Sequence, residues 1–163
     1  MIIITKGGKK TMDSRLFRDV MGQFATGITI VSTNQDNEIK AMTVNAFMSV
    51  SLEPKLIAVS IDESASMYPI LQKKTKFGLS ILSEEQKDIA MIYAKQKDKD
   101  REIPFIQLDG TPVIDHSIAV LSCKVKETVE AGDHKIVIAD VTELKLNKAD
   151  PIIFHGGKYK ELK

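Results

Sequence analysis

The chain has 163 residues, of which 43% are hydrophobic and 28% are charged, and its formal net charge at pH 7 is +1. These values are ordinary for a single globular domain, and the near-neutral charge argues against a nucleic-acid-binding protein, which would need a basic surface. The single cysteine, Cys123, excludes an intrachain disulfide and a cysteine-based metal centre. Its alternating apolar surroundings predict a buried hydrophobic role. The three histidines are too scattered for a metal-ligand motif.

The N-terminal segment is predicted to be a flexible arm over residues 1–12, because it ends in the run Lys6-Gly-Gly-Lys-Lys. Its apolar start, Met1-Ile-Ile-Ile, is too short for the core of a signal peptide, and no run in the chain approaches the length of a membrane span. We therefore expect a cytoplasmic protein without membrane contact. Residues 13–163 are expected to form its one domain.

An amphipathic helix is predicted directly after the arm, because apolar residues recur at near-helical spacing between Leu16 and Phe24. Asp13 or Ser14 is expected to cap its start. Two further helices are predicted later in the chain. A short one runs from Met67 to Lys73, and a longer one covers residues 86–95.

Alternating apolar residues and turn-forming clusters predict a chain rich in strands. Strands are expected over residues 29–33, 39–44, 46–52, 56–61, 77–82, 117–130 and 135–147. A last hairpin or edge strand is expected around Gly156-Gly157. Many strands, few helices and no regular alternation of strand and helix predict a closed antiparallel β-barrel with a few flanking helices.

The stretch from Met42 to Pro54 gives the strongest indication of function. Its polar positions alternate with apolar ones, and they carry uncharged hydrogen-bonding groups at Thr43, Asn45, Ser49 and Ser51. A row of such groups beside apolar residues suits a planar polar ligand that lies on the sheet. The alternative is that these side chains are simply the solvated face of an antiparallel strand, which is the commoner use of this pattern.

Several motifs of the chain resemble the short-chain flavin reductase family. The segment Thr43-Val-Asn-Ala-Phe-Met-Ser-Val-Ser-Leu-Glu-Pro, followed by Leu56-Ile-Ala-Val-Ser-Ile-Asp, is similar to the flavin-binding segment of that family. Ala25-Thr-Gly-Ile-Thr, Lys76-Phe-Gly-Leu-Ser and His155-Gly-Gly-Lys-Tyr are similar as well, so the resemblance extends from about Phe17 to Leu162. It implies a mainly β, Greek-key split β-barrel of the FMN-binding type. It also implies a homodimer with the flavin in a groove shared by two subunits.

A bound FMN or FAD needs apolar contact for its ring, hydrogen-bonding groups for the ring edge and the ribityl chain, and donors for its phosphate. The candidate flavin contacts are Thr43, Val44, Asn45, Ala46, Ser60, Ile61, Asp62, Ser64, Ser66, Phe77 and Gly78. Thr26 and Gly27 are expected to shape the groove. Two candidates have alternative roles: Phe77 as a core residue, and Ser66 as the cap of the helix predicted at Met67. The N-terminus of such a helix would attract the phosphate.

The motif Gly132-Asp133-His134 gives a second indication. Its residue types fit an ordinary turn. In the family that the chain resembles, however, this motif implies a histidine near the point where nicotinamide meets flavin. His134 would position the nicotinamide by a hydrogen bond to its carboxamide or to a phosphate. The family often has a glycine a few residues later, and Ala139 in that place is expected to narrow the groove.

The resemblance implies an NAD(P)H:flavin oxidoreductase. Such an enzyme transfers hydride from NADH or NADPH to FMN or FAD and passes reduced flavin or electrons to a monooxygenase or another acceptor. Three alternatives stay open: an electron-transfer protein with a prosthetic FMN, a ferric reductase, and a flavin carrier without catalytic activity. The sequence alone does not distinguish NADH from NADPH or FMN from FAD.

Overall fold

The computed structural model describes residues 3–4, 10–73 and 75–162. Most of the predicted arm, residues 1–12, lies outside these ranges. Its described parts, β1 (Ile3–Ile4) and β2 (Lys10–Thr11), pair as a short antiparallel ladder. In the described ranges no helix is long and apolar enough to cross a membrane.

Most of the remaining elements follow the predicted helices and strands, but the hairpin formed by Phe105–Leu108 and Thr111–Ile114 lies in a segment where no strand was predicted. Helix α1 covers Ser14–Met21 and α2 covers Lys87–Tyr93, the latter preceded by a 3₁₀ turn at Glu84–Gln86. The strands are β3 (Thr29–Gln35), β4 (Glu38–Val44), β5 (Phe47–Leu52), β6 (Lys55–Asp62), β7 (Lys76–Ile81), β8 (Phe105–Leu108), β9 (Thr111–Ile114), β10 (Ala119–Ala131), β11 (His134–Leu146), β12 (Ile153–His155) and β13 (Lys158–Lys160).

Seven strands form one antiparallel sheet in the order β4-β3-β7-β10-β11-β6-β5. Its two edge strands, β4 and β5, are joined by Asn45 and Ala46 alone, so the Cα atoms of Val44 and Phe47 lie at most about 11 Å apart. The sheet must therefore curl until its edges meet at this corner. A backbone hydrogen bond of 3.0 Å from the Ser60 amide to the Ala46 carbonyl ties the corner to β6. The result is the split β-barrel that the family resemblance implies. The edges β4 and β5 do not pair with each other, so the closed barrel predicted from the strand pattern does not form.

The barrel interior is filled by apolar side chains, because inward and outward positions alternate along each strand. Phe77 is the largest fully buried side chain of this cluster, and its cross-strand partner Cys123 is also fully buried. Burial raises the pKa of the Cys123 thiol to about 12. The thiol is therefore protonated near neutral pH and acts as a small hydrophobe, as predicted.

A second apolar cluster lies on the outer side of β3 and β7, beneath α2 and the hairpins β8–β9 and β12–β13. Gly78 of β7 makes the close approach of β9 feasible. A Cβ atom there would lie 2.0 Å from the carbonyl oxygen of Pro112. The Ser32 hydroxyl donates to the same carbonyl at 2.7 Å and fixes the contact.

The helix predicted from Met67 to Lys73 does not form. Residues 66–70 make successive turns instead, and the side chains of Met67 and Leu71 are fully buried in the barrel interior. Pro69 contributes no backbone N–H and disfavours helical geometry in the residue before it. The prediction that Ser66 caps a helix is therefore wrong.

The segment after β6 is held in place by Lys135 of β11. This side chain is 2% exposed, its Nζ donates to the carbonyl of Tyr68, and Nζ lies 4.1 Å from the centroid of the Tyr68 ring. The Tyr68 hydroxyl donates to Glu130 at 2.8 Å. These contacts attach the turn segment to β10 and β11.

Helix α1 begins as predicted, since the Asp13 carboxylate caps it by accepting from the Arg15 amide at 2.8 Å. None of its residues is buried. It joins the barrel through the segment that follows it, where the Gly156 amide donates to the Gly22 carbonyl at 2.8 Å. Thr26 and Phe154 exchange two further backbone hydrogen bonds as an isolated bridge.

Candidate functional site

A cleft of about 1070 Å³ opens on the outer face of the sheet, beside the corner that joins β4 to β5. Strands β5, β6 and β11 form its floor, and the end of α1 with the β12–β13 hairpin forms its wall. Its volume corresponds to the upper end of the range of small-molecule sites. The lining is mostly apolar, with a few polar groups.

Four of the candidate flavin and nicotinamide contacts line this cleft: Asn45, Ala46, Ser60 and His134. Thr26, which was expected to shape the groove, lines it as well, and Gly27 does not. The corner brings Asn45, Ala46 and Ser60 together, because the Ser60 amide donates to the Ala46 carbonyl. The Asn45 side chain is exposed and makes no hydrogen bond to any described residue. An amide and a hydroxyl at this corner provide neutral donors and acceptors for a polar ring edge.

Three other candidates on the same strands point away from the cleft. The Thr43 hydroxyl donates to the Ala90 carbonyl of α2 at 2.7 Å, so it is already engaged on the far side of β4. Val44 and Ile61 are buried in the barrel interior. Alternation along β6 explains why Ser60 faces the cleft and Ile61 faces the interior. On β4, Val44 faces the interior and Thr43, on the opposite face, contacts α2.

Phe77 and Gly78 do not reach the cleft either. Phe77 is fully buried among the interior residues. Gly78 is covered by Pro112 and Val113 of β9. The structure therefore supports the alternative in which Phe77 is a core residue, and it gives Gly78 a packing role.

Asp62, Ser64 and Ser66 lie beyond the His134 end of the cleft. The Ser64 amide and hydroxyl donate to the Asp62 carboxylate at 2.7 and 2.6 Å, which forms a local turn. These two hydrogen bonds, the side-chain one first, lower the pKa of Asp62, so it is ionised near neutral pH. Ser66 is exposed and makes no hydrogen bond to a described residue. Because no helix begins at Met67, the predicted helical anion site is missing here.

His134 opens β11 and faces Asp62 of β6 as its register partner. Its Nδ1 lies 2.7 Å from the Asp133 carboxylate and its Nε2 lies 4.0 Å from Asp62, while 39% of its side chain stays exposed. Gly132, with φ of 66°, forms the hairpin turn that allows this placement. The imidazole is therefore held by carboxylates at the edge of the cleft.

Ala139 does not narrow the cleft as expected. It is fully buried among the interior residues, on the inward face of β11. The outward residue of β11 that lines the cleft is Ile136, which pairs with Ser60 across β6. A glycine at position 139 would change the barrel interior and leave the cleft floor as it is.

The wall of the cleft contains residues that were not assigned from the sequence. Arg18, Met21 and Phe24 come from α1 and the segment after it, and Phe154 and Gly157 come from the C-terminal hairpin. The motifs around Ala25 and His155 indicated these two regions without identifying the contacting side chains. Only the fold brings them opposite Asn45 and Ser60.

The cleft as a whole suits a planar ligand with an apolar face and a polar edge. Ala58 and Ile136 supply apolar floor contacts, and Asn45 and Ser60 supply neutral hydrogen bonds. His134 adds a group able to donate or accept at one end. This combination of donors matches what a flavin ring requires.

The chain is similar to known flavin reductases in both sequence and structure. The model of the flavin reductase like domain matches residues 21–163. The NADH-dependent flavin reductase of a Rhodococcus species is 32% identical over 148 residues, covering 89% of this chain and 84% of that protein. The native-state structure of flavin reductase PheA2 is 46% identical, with a TM-score of 0.90 and coverage of 93% of this chain and 99% of that chain. The styrene monooxygenase flavin reductase SMOB of Pseudomonas putida is 31% identical, with a TM-score of 0.84 and coverage of 90% and 97%. The chain therefore belongs to the flavin reductase-like domain family.

Proposed function

We propose that this protein is an NADH-dependent flavin reductase that binds FMN or FAD in the cleft beside the Asn45–Ala46 corner. The observation that carries the proposal is the convergence of Asn45, Ala46, Ser60 and His134 on one apolar cleft. The flavin, when bound, supplies the redox chemistry by accepting hydride from the dihydronicotinamide. The donor is taken as NADH because the Rhodococcus relative bears that name.

The floor of the cleft orients the flavin. Ala46 and Ala58 are small and let a flat ring approach the backbone, while Ile136 gives it an apolar contact. Asn45 and Ser60 hydrogen-bond its polar edge. Holding two planar rings against each other is the main contribution that a protein can make to hydride transfer between them.

His134 positions the nicotinamide. Its ring is oriented by Asp133 and lies at the cleft edge, where the nicotinamide carboxamide would come within reach. No proton transfer by His134 is needed, because the flavin and the nicotinamide carry out the exchange themselves. Its role is therefore one of binding geometry.

The segment beyond β6 borders the His134 end of the cleft and offers polar groups to a bound ligand. The Ser66 hydroxyl is exposed there, the Ser64 hydroxyl donates to Asp62, and the ionised Asp62 suits a ligand hydroxyl better than a phosphate, because two anions repel. Thr43, Val44, Ile61, Phe77 and Gly78 are not in this set, since their side chains or positions face the core or α2.

The reduced flavin would serve a monooxygenase partner, since the similar protein of Pseudomonas putida is a styrene monooxygenase flavin reductase. We also propose a homodimer. Helix α1 exposes the apolar residues Phe17 and Val20, which are 52% and 53% exposed, and β5 exposes Leu52, which is 88% exposed.

Since the proposed donor is NADH, we expect the protein to work in the cytoplasm.

The test is the absorbance spectrum of the purified protein, followed by anaerobic addition of NADH in the presence of FMN. Bleaching of the flavin absorbance band by about one equivalent of NADH per flavin supports the proposal. His134→Ala should lower kcat/KM for NADH at least tenfold and keep FMN affinity, while His116→Ala, an exposed histidine outside the cleft, should match the unmodified protein. Flavin that binds and resists both NADH and NADPH would instead show a carrier.

A further inference from the structure

The two ends of the cleft differ in charge. At the His134 end lie the carboxylates of Asp62 and Asp133, and Glu63 follows directly, with its amide bonded to the Asp133 carbonyl at 2.9 Å. At the α1 end lies the guanidinium-bearing side chain of Arg18. Among the described residues that line the cleft, Arg18 is the single permanently charged side chain.

Arg18 is placed at the cleft by the last turn of α1. The Gly22 amide donates to the Arg18 carbonyl at 2.8 Å, and the Gly22 carbonyl in turn accepts from Gly156, so the backbone that carries this side chain is anchored to the β12–β13 hairpin. The guanidinium forms no ion pair and no hydrogen bond with any described residue. Its five donors are therefore free for a ligand.

The neighbours of Arg18 strengthen the case for a ligand. Met21, Phe24 and Phe154 line the same wall, so the cation sits beside apolar surface and not among carboxylates. Arg15 on the same helix provides a contrast, because it does not line the cleft. A planar guanidinium beside an apolar wall suits the bidentate recognition of a phosphate.

We propose that Arg18 binds a phosphate group of the nucleotide held in the cleft, either the flavin phosphate or the pyrophosphate of the nicotinamide dinucleotide. The inference rests on the proposed function. It assigns to Arg18 the phosphate contact that the sequence analysis expected at Ser64 and Ser66. The opposite end is unfavourable for a phosphate, since Asp62 and Asp133 would repel it. Arg18 is thus a binding residue that raises the affinity of a phosphate-bearing ligand above that of its phosphate-free counterpart.

The experiment compares Arg18→Met, Arg18→Lys and Arg15→Met with the unmodified full-length protein. Affinities for FMN and for riboflavin are measured by quenching of flavin fluorescence. Steady-state KM values are measured for NADH and for 1-benzyl-1,4-dihydronicotinamide, which has no phosphate. FMN differs from riboflavin only by its phosphate, whereas 1-benzyl-1,4-dihydronicotinamide lacks both phosphates of NADH together with its riboses and adenine. Comparison of the two pairs separates the two sources of the anion.

Arg18→Met is expected to weaken the binding of one phosphate-bearing ligand about tenfold, because a charged hydrogen bond is lost. The matching phosphate-free ligand should change less than twofold. A loss of affinity confined to FMN assigns Arg18 to the flavin phosphate. A rise in KM confined to NADH assigns it to the pyrophosphate of the dinucleotide. Arg18→Lys should retain part of the affinity, because the charge stays and the bidentate geometry is lost. Arg15→Met should behave as the unmodified protein.

Equal changes for ligands with and without phosphate, or no change for any of the four, would overturn the inference while the proposed function stands. An unmodified protein that neither binds FMN nor oxidises NADH would overturn both. A circular dichroism melt of each variant controls for misfolding. Since Arg18 contributes no buried contact, its variants should melt with the unmodified protein.

Discussion

His134 Nδ1 lies 2.7 Å from the carboxylate of Asp133, its neighbour in the chain. The imidazole is 39% exposed, so this hydrogen bond, more than packing, fixes the direction of the ring at the cleft edge. Asp133 itself is 78% exposed and does not line the cleft. We therefore expect Asp133 to act through His134, as a positioning residue.

Asp133→Ala should lower kcat/KM for NADH about tenfold, which corresponds to about 1.4 kcal/mol, because the imidazole loses its fixed orientation. The dissociation constant for FMN should change less than twofold. Asp115→Ala is the matched control, since Asp115 lies beside His116 in a similar pair outside the cleft. A parallel loss of FMN affinity would show that Asp133 supports the flavin and not the nicotinamide.

The strands of the seven-stranded sheet were predictable because their signals are local, whereas the hairpin β8–β9 was not predicted. Alternation in β3 to β6 and the turn residues between them are visible in the sequence. The helix from Met67 to Lys73 was mispredicted because non-local contacts determine that segment. Met67 and Leu71 fill the barrel interior, and Lys135, which lies far along the chain, binds the Tyr68 carbonyl.

The candidate site was predictable only in part, for a related reason. The corner residues Asn45 and Ala46 stand next to each other in the chain, so one motif indicates both. Arg18 and Phe154 are separated by most of the chain and meet through the Gly22–Gly156 and Thr26–Phe154 backbone contacts. Such contacts leave no mark in a single sequence, and the choice between core and ligand contact at Phe77 likewise needed the fold.

Thr26 and Thr29 both have a buried hydroxyl oxygen, but only that of Thr29 has a hydrogen-bond partner among the described residues. The Thr26 hydroxyl oxygen is buried and has no hydrogen-bond partner among the described residues. The Thr29 hydroxyl is also buried, but it donates to the Val44 carbonyl at 2.6 Å. An unsatisfied buried hydroxyl destabilises the folded state, whereas a satisfied one stabilises it.

Thr26→Val should therefore leave the free energy of unfolding unchanged or raise it by up to about 1 kcal/mol, while Thr29→Val should lower it by about 1 kcal/mol. Valine keeps the shape of threonine, so packing changes are small in both variants. Urea unfolding monitored by circular dichroism measures the difference. A loss of stability in Thr26→Val as large as in Thr29→Val would reveal a partner for the Thr26 hydroxyl, such as an ordered water.

Asp109 links the β8–β9 turn to the sheet and should make stability depend on pH. Its carboxylate accepts from Thr142 at 2.7 Å and from Lys76 at 3.0 Å. The Thr142 hydrogen bond first, and then that of Lys76, lowers the pKa of Asp109 from its ordinary value of 3.8. Because the folded-state pKa is the lower one, the stabilisation is complete above pH 3.8 and is lost as the pH falls through the folded-state value.

Asp109→Asn should accordingly lower Tm at pH 7, and the difference from the unmodified protein should shrink steadily below pH 3.8. Asp36→Asn is the control. Asp36 also has a positive φ, 52° against 47° for Asp109, but it makes no such hydrogen bonds with described residues. A Tm difference for Asp109→Asn that stays constant between pH 7 and pH 3 would contradict an electrostatic role for this carboxylate.

Leu52 at the end of β5 provides the test of the proposed dimer. It is 88% exposed in the single chain, and a leucine left in water at a sheet edge is what a partner surface would cover. Leu52→Asp should shift the sedimentation coefficient from dimer to monomer without changing the circular dichroism spectrum. Leu162→Asp, also at an exposed leucine, should leave the dimer intact. Since the family resemblance implies a flavin groove shared by two subunits, the monomeric variant should also lose FMN affinity. Full affinity in a monomer would show that the cleft of one chain is sufficient.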